Sequence, residues 1–277
     1  MPLSYEVVAP HSHRAFLLGS VHLDRPDAAP LHPLVLEAYE RAPLLVLEVD
    51  LSSVSEAQLG DLMLGLGRLP PGELLRDRVS PETWRSLEAH CAEKDLPLAE
   101  LEGLEPWLAA LQLLGQSLVA GGLEAERGVE RQLLLTSRGK EIRGLETAQE
   151  QFALFDSLSD SLQELMLRDA LRPTGPASGE AGALLDAWRH GDAAALEALL
   201  FTGLEERPEL APFYEATYFA RNVRMAQGIE AVLAEAPYAF VVLGAGHLVG
   251  DRGVPALLRA SGYAVQPATA FPSDLTR

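Results

Sequence analysis

Two Gly-x-x-His segments, Gly19 to His22 in FLLGSVH and Gly244 to His247 in VVLGAGH, each follow a short apolar run. With 23 glycines and 7 histidines in 277 residues, chance gives roughly 0.6 such matches, so two is a modest excess. Their placement says more, because ligands of open parallel sheets bind outside the carboxyl ends of the strands, where both motifs fall. Glycine there lets the chain turn sharply and lets backbone approach a ligand, while the histidine three residues on carries its imidazole over the edge. Two carboxylates hold equivalent places, Glu48 near the end of LLVLEV and Glu146 just after the strand in KEIRGLET. Neutral imidazole and carboxylate suit Zn²⁺, Mn²⁺ or Co²⁺, and such an ion lowers the pKa of bound water enough to make a nucleophile near neutral pH. His22, His247 and Glu48 are therefore the expected ligands of a divalent ion, with Glu48 or Glu146 as general base. No single-helix motif such as H-E-x-x-H is present, so the ligands must gather from distant segments. Singly, a strand-end His or Glu has ordinary structural uses, and the expectation rests on four such residues coinciding.

The segment YFARNVRMAQGIEAVL places Phe219, Asn222, Ala226, Ile229 and Leu233 on one helix face, with Tyr218, Arg221 and Met225 beside it. A charged group near an apolar stripe needs a partner, either a carboxylate or the carbonyl oxygen of a substrate. Arg221 and Asn222 are thus candidate substrate-binding residues, and Arg221 a candidate to hold a developing oxyanion. His11, His13, His32, His90 and His190 have no comparable setting and are expected on the surface or in loops. Ser20 lies inside the first motif, but neither a Ser-His-Asp order nor a G-x-S-x-G elbow accompanies it, which argues against a serine hydrolase.

Strands are expected at Ala15 to Leu18, Leu44 to Val49, Lys140 to Leu145, Ala239 to Leu243 and Tyr263 to Val265, where short apolar runs end in turn residues. Helical patterns lie between most of them, which favours an α/β fold with a mixed, mainly parallel central sheet flanked by helices. Each motif is followed by a helix, Pro33 to Arg41 or Val254 to Ala260, and a strand, a weak internal echo between two motif-bearing halves. Ser55 with Gln58, and Ser80 before Pro81, read as helix starts. The whole chain is expected to be one domain, with mostly helical insertions at about 55–138 and 149–236. RPTGPASGEAG, Arg172 to Gly182, lacks periodicity and is expected to be a loop.

The formal charge of −18 comes from 40 acidic against 22 basic residues, a field that repels phosphate backbones and anionic lipid. Nucleic acid is excluded as a partner on that ground. Hydrophobic residues make up 48% of the chain, enough for a buried core. Cys91, the one cysteine, has no intrachain partner and shares helical spacing with Trp84 and Leu87, which puts it in the core. The start MPLSYEVVAPHSHRAF lacks the features of a signal peptide, so a cytoplasmic protein is expected. Pro106 to Leu123 is long and uncharged but is broken by glutamines and glycines, so it is expected to be a buried helix with no membrane role.

GSVH with LEAYERAPLLVLEVD, then EPW, GVERQLLLTSRGKEIRGLETAQEQ, ARNVRMAQGIEAVL and VVLGAGHLVGDRGVPALLRASGYAV, in this order, resemble the TraB/PrgY/GumN family over almost the whole chain. That family is similar to the Tiki metalloproteases and more distantly to erythromycin esterases and ChaN-like haem-binding lipoproteins. The resemblance implies a mixed sheet with helical insertions and a metal-dependent hydrolase, with peptides or small molecules as substrates. It also leaves open a metal-free esterase with a histidine base, and a protein that sequesters peptide or haem without turnover. Glu130 stands where many relatives carry Asp, and it is given no role.

Overall fold

The computed structural model describes residues 1–52, 54–172 and 179–269. The chain divides into two compact units, one of Met1–Ser52, Leu123–Thr147 and Ala183–Arg277, the other of Ser53–Gly122 and Ala148–Gly182. Within the segment expected to be a loop, 173–178 lie outside the described residues, and its last residues instead open the Glu180–His190 helix.

The first unit is built on a six-stranded sheet, β1 (Ser4–Val8), β2 (Arg14–Ser20), β3 (Leu44–Val49), β4 (Glu141–Glu146), β5 (Tyr238–Gly244) and β6 (Ala264–Pro267), in the order β4-β3-β5-β2-β1-β6. β4, β3, β5 and β2 run parallel, while β1 is antiparallel to both β2 and β6. The expected mixed, mainly parallel α/β sheet is what forms. RAFLLGS, LLVLEV and YAFVVLG read as nearly unbroken apolar runs because parallel strands are covered on both faces. β1 was not expected from sequence, since SYEVV is short and has a polar centre. It gains its stability from pairing, in a hairpin with β2 closed by Ala9 N–H donating to His13 O at 2.8 Å.

In register, Ser20 lies opposite Gly244, and Val49 opposite Glu146. The carboxyl ends of β2, β3, β4 and β5 therefore share one edge. Phe240 of β5 anchors the core, stacked on Phe16 at 5.3 Å and edge-on to Tyr39 at 5.4 Å. Its ring and the side chains of its strand neighbours Ala239 and Val241 are fully buried.

The second unit is helical. Ser55 forms a reciprocal capping box with Gln58 at the start of the Glu56–Gly67 helix, and Ser80 accepts from Thr83 N–H at the start of Pro81–Lys94. Leu75, Leu87, Cys91, Trp107, Leu108, Leu113 and Leu167 form its core, and Trp107 stacks on Phe155 at 6.0 Å. The cysteine is buried as expected. The Pro106–Ala120 helix buries mainly its first half, and Val119 near its end is 61% exposed. Among the described residues no helix is long and apolar enough to cross a membrane.

Phe240→Ala is expected to lower the unfolding free energy by about 3–5 kcal/mol, read from urea denaturation with an unchanged m-value. A loss below about 1 kcal/mol would contradict the tight aromatic packing described.

Candidate functional site

Of the four residues singled out at the strand ends, Glu48, Glu146 and His247 meet around Arg221, while His22 pairs with Glu130. Arg221 projects from the Ala220–Glu235 helix, beside the stripe of Met225, Ala226, Ile229 and Leu233 that is buried in the sheet unit's core. Its Nε donates to Glu146 Oε2 at 2.9 Å, and its Nη2 donates to Glu48 Oε2 at 2.6 Å and lies 2.9 Å from Glu146 Oε2. Nη1 donates to Thr217 O at 3.1 Å and meets His247 Nε2 at 3.2 Å. Four of the five N–H groups of the guanidinium thus have hydrogen-bonded protein acceptors, and Nη2 also stands in ion-pair range of Glu146. Burial works against its charge, but the two carboxylates outweigh that and raise its pKa.

His247 lies in a buried 3-10 turn, Ala245–Leu248, directly after β5. Asn222 fixes its tautomer: the amide Nδ2 donates to Arg252 O at 2.8 Å, so Oδ1 must accept, and His247 Nδ1 donates to it at 2.5 Å. Nε2 then carries the lone pair, which faces Arg221 Nη1 and stands 3.7 Å from Glu48 Oε1. Burial, reinforced by Arg221 against the pull of Glu48, lowers the His247 pKa to about 4, so the ring is neutral at physiological pH. Asn222 is 1% exposed with both ends of its amide engaged. It orients His247 and is not open to a substrate, unlike the binding role expected from the helix pattern.

Glu48 accepts from Gly244 N–H through Oε1 at 2.5 Å. Burial opposes ionisation of Glu48, but His247, Arg221 and this amide overcome it and hold the pKa below the usual carboxylate value. The motif glycine favours that approach, since a Cβ on Gly244 would meet Glu48 Oε1 at 3.1 Å, a tight contact. Of the two uses expected of it, close approach is the one seen, since a φ of −49 is open to other residues. Gly19 likewise permits close packing, with Ala245 Cα 3.3 Å from where its Cβ would be. Glu146 also meets Arg224 at 3.3 Å, and its carboxylate serves the arginines.

His22 follows β2 on a loop pinned by Val129 N–H to Val21 O at 3.0 Å and by paired Asp24 and Glu124 backbones. The buried Asp24 carboxylate accepts from Arg189. His22 keeps its side chain 73% exposed, with Nδ1 3.3 Å from Glu130 Oε1, and Ser20 Oγ donates to the same oxygen at 2.5 Å. The hydrogen bond and field of Glu130 raise the His22 pKa to about 9. Glu130, whose burial alone would raise its own pKa, is held low by His22 and Ser20. Sequence reasoning gave Glu130 no role and dismissed Ser20, and no spacing rule links either to His22. Tyr218, mentioned only as a neighbour of the stripe, lies with its ring 5.3 Å from that of His247. Burial pushes its phenol up to about 12, so it stays protonated.

The donor types suit a divalent ion: each imidazole is held through Nδ1, and Glu48 stands beside His247. As the side chains stand, no group of three or more His, Cys, Asp or Glu among the described residues is gathered in a metal-holding arrangement.

A parallel sheet carrying two Gly-x-x-His turns, a strand-end glutamate and a buried arginine at one edge defines an α/β protein with a polar site built from all four parallel strands. The TraB/PrgY/gumN family model matches residues 6–267, and the chain belongs to that family. It is 26% identical to the uncharacterised protein YbaP of Shigella flexneri, over 92% of this chain and 91% of the relative. The same figures hold for uncharacterised YbaP of Escherichia coli strain K12. No solved structure matches.

Two outcomes are expected. In chelator-treated Glu130→Gln, the His22 imidazole should titrate near its ordinary 6.5 instead of about 9, read from its proton resonances. The sign follows: a raised folded pKa gives stability that is complete below 6.5 and is lost as pH rises through about 9. An unmoved midpoint would break the assignment of the pair. Arg221→Met should cost about 3–5 kcal/mol by stranding two buried carboxylates, and a neutral result in thermal unfolding would contradict the network.

Proposed function

We propose that this protein is a metal-dependent hydrolase acting on peptide or related amide bonds, with its water-activating site at the carboxyl edge of the sheet. One observation carries the reading: both imidazoles are anchored through Nδ1, to Asn222 Oδ1 and to Glu130, which turns each Nε2 away from its anchor; a divalent ion would replace the proton that Glu130 favours on His22 and the Arg221 N–H that His247 Nε2 accepts. Metal-ligating histidines are oriented in this way by their outer-shell partners. His22 and His247 would hold the ion, and Mn²⁺, Co²⁺ or Zn²⁺ suits nitrogen and carboxylate ligands. A divalent ion there supplies Lewis-acid polarisation of a carbonyl and lowers the pKa of water.

The chain's own groups do the rest. Glu48, held ionised beside His247 Nε2, takes a proton as the oxygen of water adds to the carbonyl carbon, and returns it to the departing amine when the C–N bond breaks. Glu146 keeps Arg221 in place, and Arg221 fixes Glu48 and His247. Tied to these groups, Arg221 acts by positioning them and not by gripping substrate.

A metal-free reading is favoured by a specific feature, the exposed His22 imidazole backed by Glu130, which could serve as acid and base in ester or amide cleavage without an ion. The deciding experiment strips the protein with chelator, reloads it with Mn²⁺, Co²⁺ or Zn²⁺, and compares wild type with the His22→Ala, His247→Ala double variant by elemental analysis and a peptide library. Stoichiometric metal and cleavage in wild type, both lost in the variant, are expected. Cleavage that survives chelation would move the assignment to the metal-free mechanism, and ligand uptake without any cleavage would make the protein a binder.

A further inference from the structure

Tyr218 stands in a π-helical turn, Glu215–Phe219, closed by Ala220 N–H donating to Glu215 O five residues back. Such one-turn insertions are frequent at functional sites because they re-aim a side chain. Here the turn lays the phenol ring over His247, 5.3 Å away and tilted 41°, with Phe201 edge-on at 5.3 Å behind it. Gly246 of the second motif packs directly under the ring, where a Cβ would come within 2.6 Å of Tyr218 Cε1. The middle glycine of GAGH is therefore required by this tyrosine.

Neighbouring polar groups are engaged inside the protein. Tyr214 donates its hydroxyl to Leu200 O at 3.2 Å, Thr217 Oγ1 donates to Phe213 O at 2.7 Å, and Arg221 and Asn222 are bound to protein groups. The Tyr218 hydroxyl has no hydrogen-bond partner among the described residues, although the phenol lies within the fields of Glu48 and Arg221. Tyr218 is half-buried, so its hydroxyl is open to an incoming group. Phenylalanine would supply the same packing, so the hydroxyl adds one thing, an unclaimed donor beside the strand-end cluster.

We propose that the Tyr218 hydroxyl donates a hydrogen bond to the carbonyl oxygen of the substrate and stabilises the negative charge that develops there, a role that rests on the hydrolase reading. As the oxygen of water bonds to the carbonyl carbon, the carbonyl electron pair moves onto its oxygen, which accepts the Tyr218 O–H without taking its proton. When the C–N bond breaks, the pair returns to re-form the carbonyl. This is the part that sequence reasoning gave to Arg221, which is instead tied to Glu48, Glu146, Thr217 O and His247.

The test compares full-length wild type, Tyr218→Phe and His247→Ala in two assays. One is hydrolysis of N-acetylphenylalanine p-nitroanilide by metal-reloaded protein, and the other is calorimetric binding of phenylphosphonate, a tetrahedral anion, to metal-free protein. Tyr218→Phe is expected to lower kcat about 100-fold with KM changed less than about twofold, and to weaken phosphonate binding about 10-fold. Hydrolysis lost in His247→Ala but undiminished in Tyr218→Phe would overturn the role of Tyr218 and leave the hydrolase reading standing. Weaker phosphonate binding by Tyr218→Phe, with no hydrolysis by any form, would uphold Tyr218 as an anion donor while the hydrolase reading fails. Absence of both hydrolysis and phosphonate binding in wild type would overturn the two together.

Discussion

The guanidinium of Arg221 is the constraint on which the site depends. Two buried carboxylates, Glu48 and Glu146, arrive from the ends of adjacent parallel strands, and without a cation between them their charges would repel in a medium that solvates neither. A guanidinium suits this place better than an ammonium, because its planar fork can serve both acids and still reach Thr217 O and the His247 ring. The ends of β3 and β4, the turn after β5 and the Ala220–Glu235 helix are tied together through one side chain.

That knot gives the two motif histidines opposite characters. His247 is buried beside a cation and is kept neutral, with its lone pair directed at the cluster. His22 is exposed beside an anion and is kept charged. Two copies of the same four-residue pattern thus place one acceptor and one cation at the same sheet edge. Their different settings come from what packs against each turn, the Asn222 amide in one case and the Glu130 carboxylate in the other.

Much of this was legible in sequence. Parallel strands must be apolar on both faces, so RAFLLGS, LLVLEV and YAFVVLG stood out, and because parallel strands end together, the residues just after them had to meet. Arg221 could be flagged because a charge in an apolar stripe demands a counter-charge. Its partners were not legible, since the same pattern fits a substrate oxygen as well as Glu48 and Glu146. β1 went unread because a short strand with a polar centre has no local signal and is stabilised by pairing with β2 and β6. Glu130 and Tyr218 were under-read for a related reason: their contacts with His22 and His247 span about a hundred and about thirty residues, beyond any periodicity. For Gly244 the sequence offered two reasons, a sharp turn and a close approach to its backbone, and the letter alone could not say that the approaching group is the Glu48 carboxylate.

The order of the strands has a consequence for how the chain is made. β5 lies between β3 and β2, yet it belongs to the last sixth of the sequence. During synthesis, β2, β3 and β4 emerge early, and β2 and β3 wait beside an empty slot until Tyr238–Gly244 leaves the ribosome. For some ten seconds or more at ordinary elongation rates, two apolar strands carry open edges of the kind that recruit foreign strands. Nascent chains halted shortly before Tyr238 should therefore engage chaperones far more than completed ones, and insertion of β5 would at once end that exposure and assemble the chemistry.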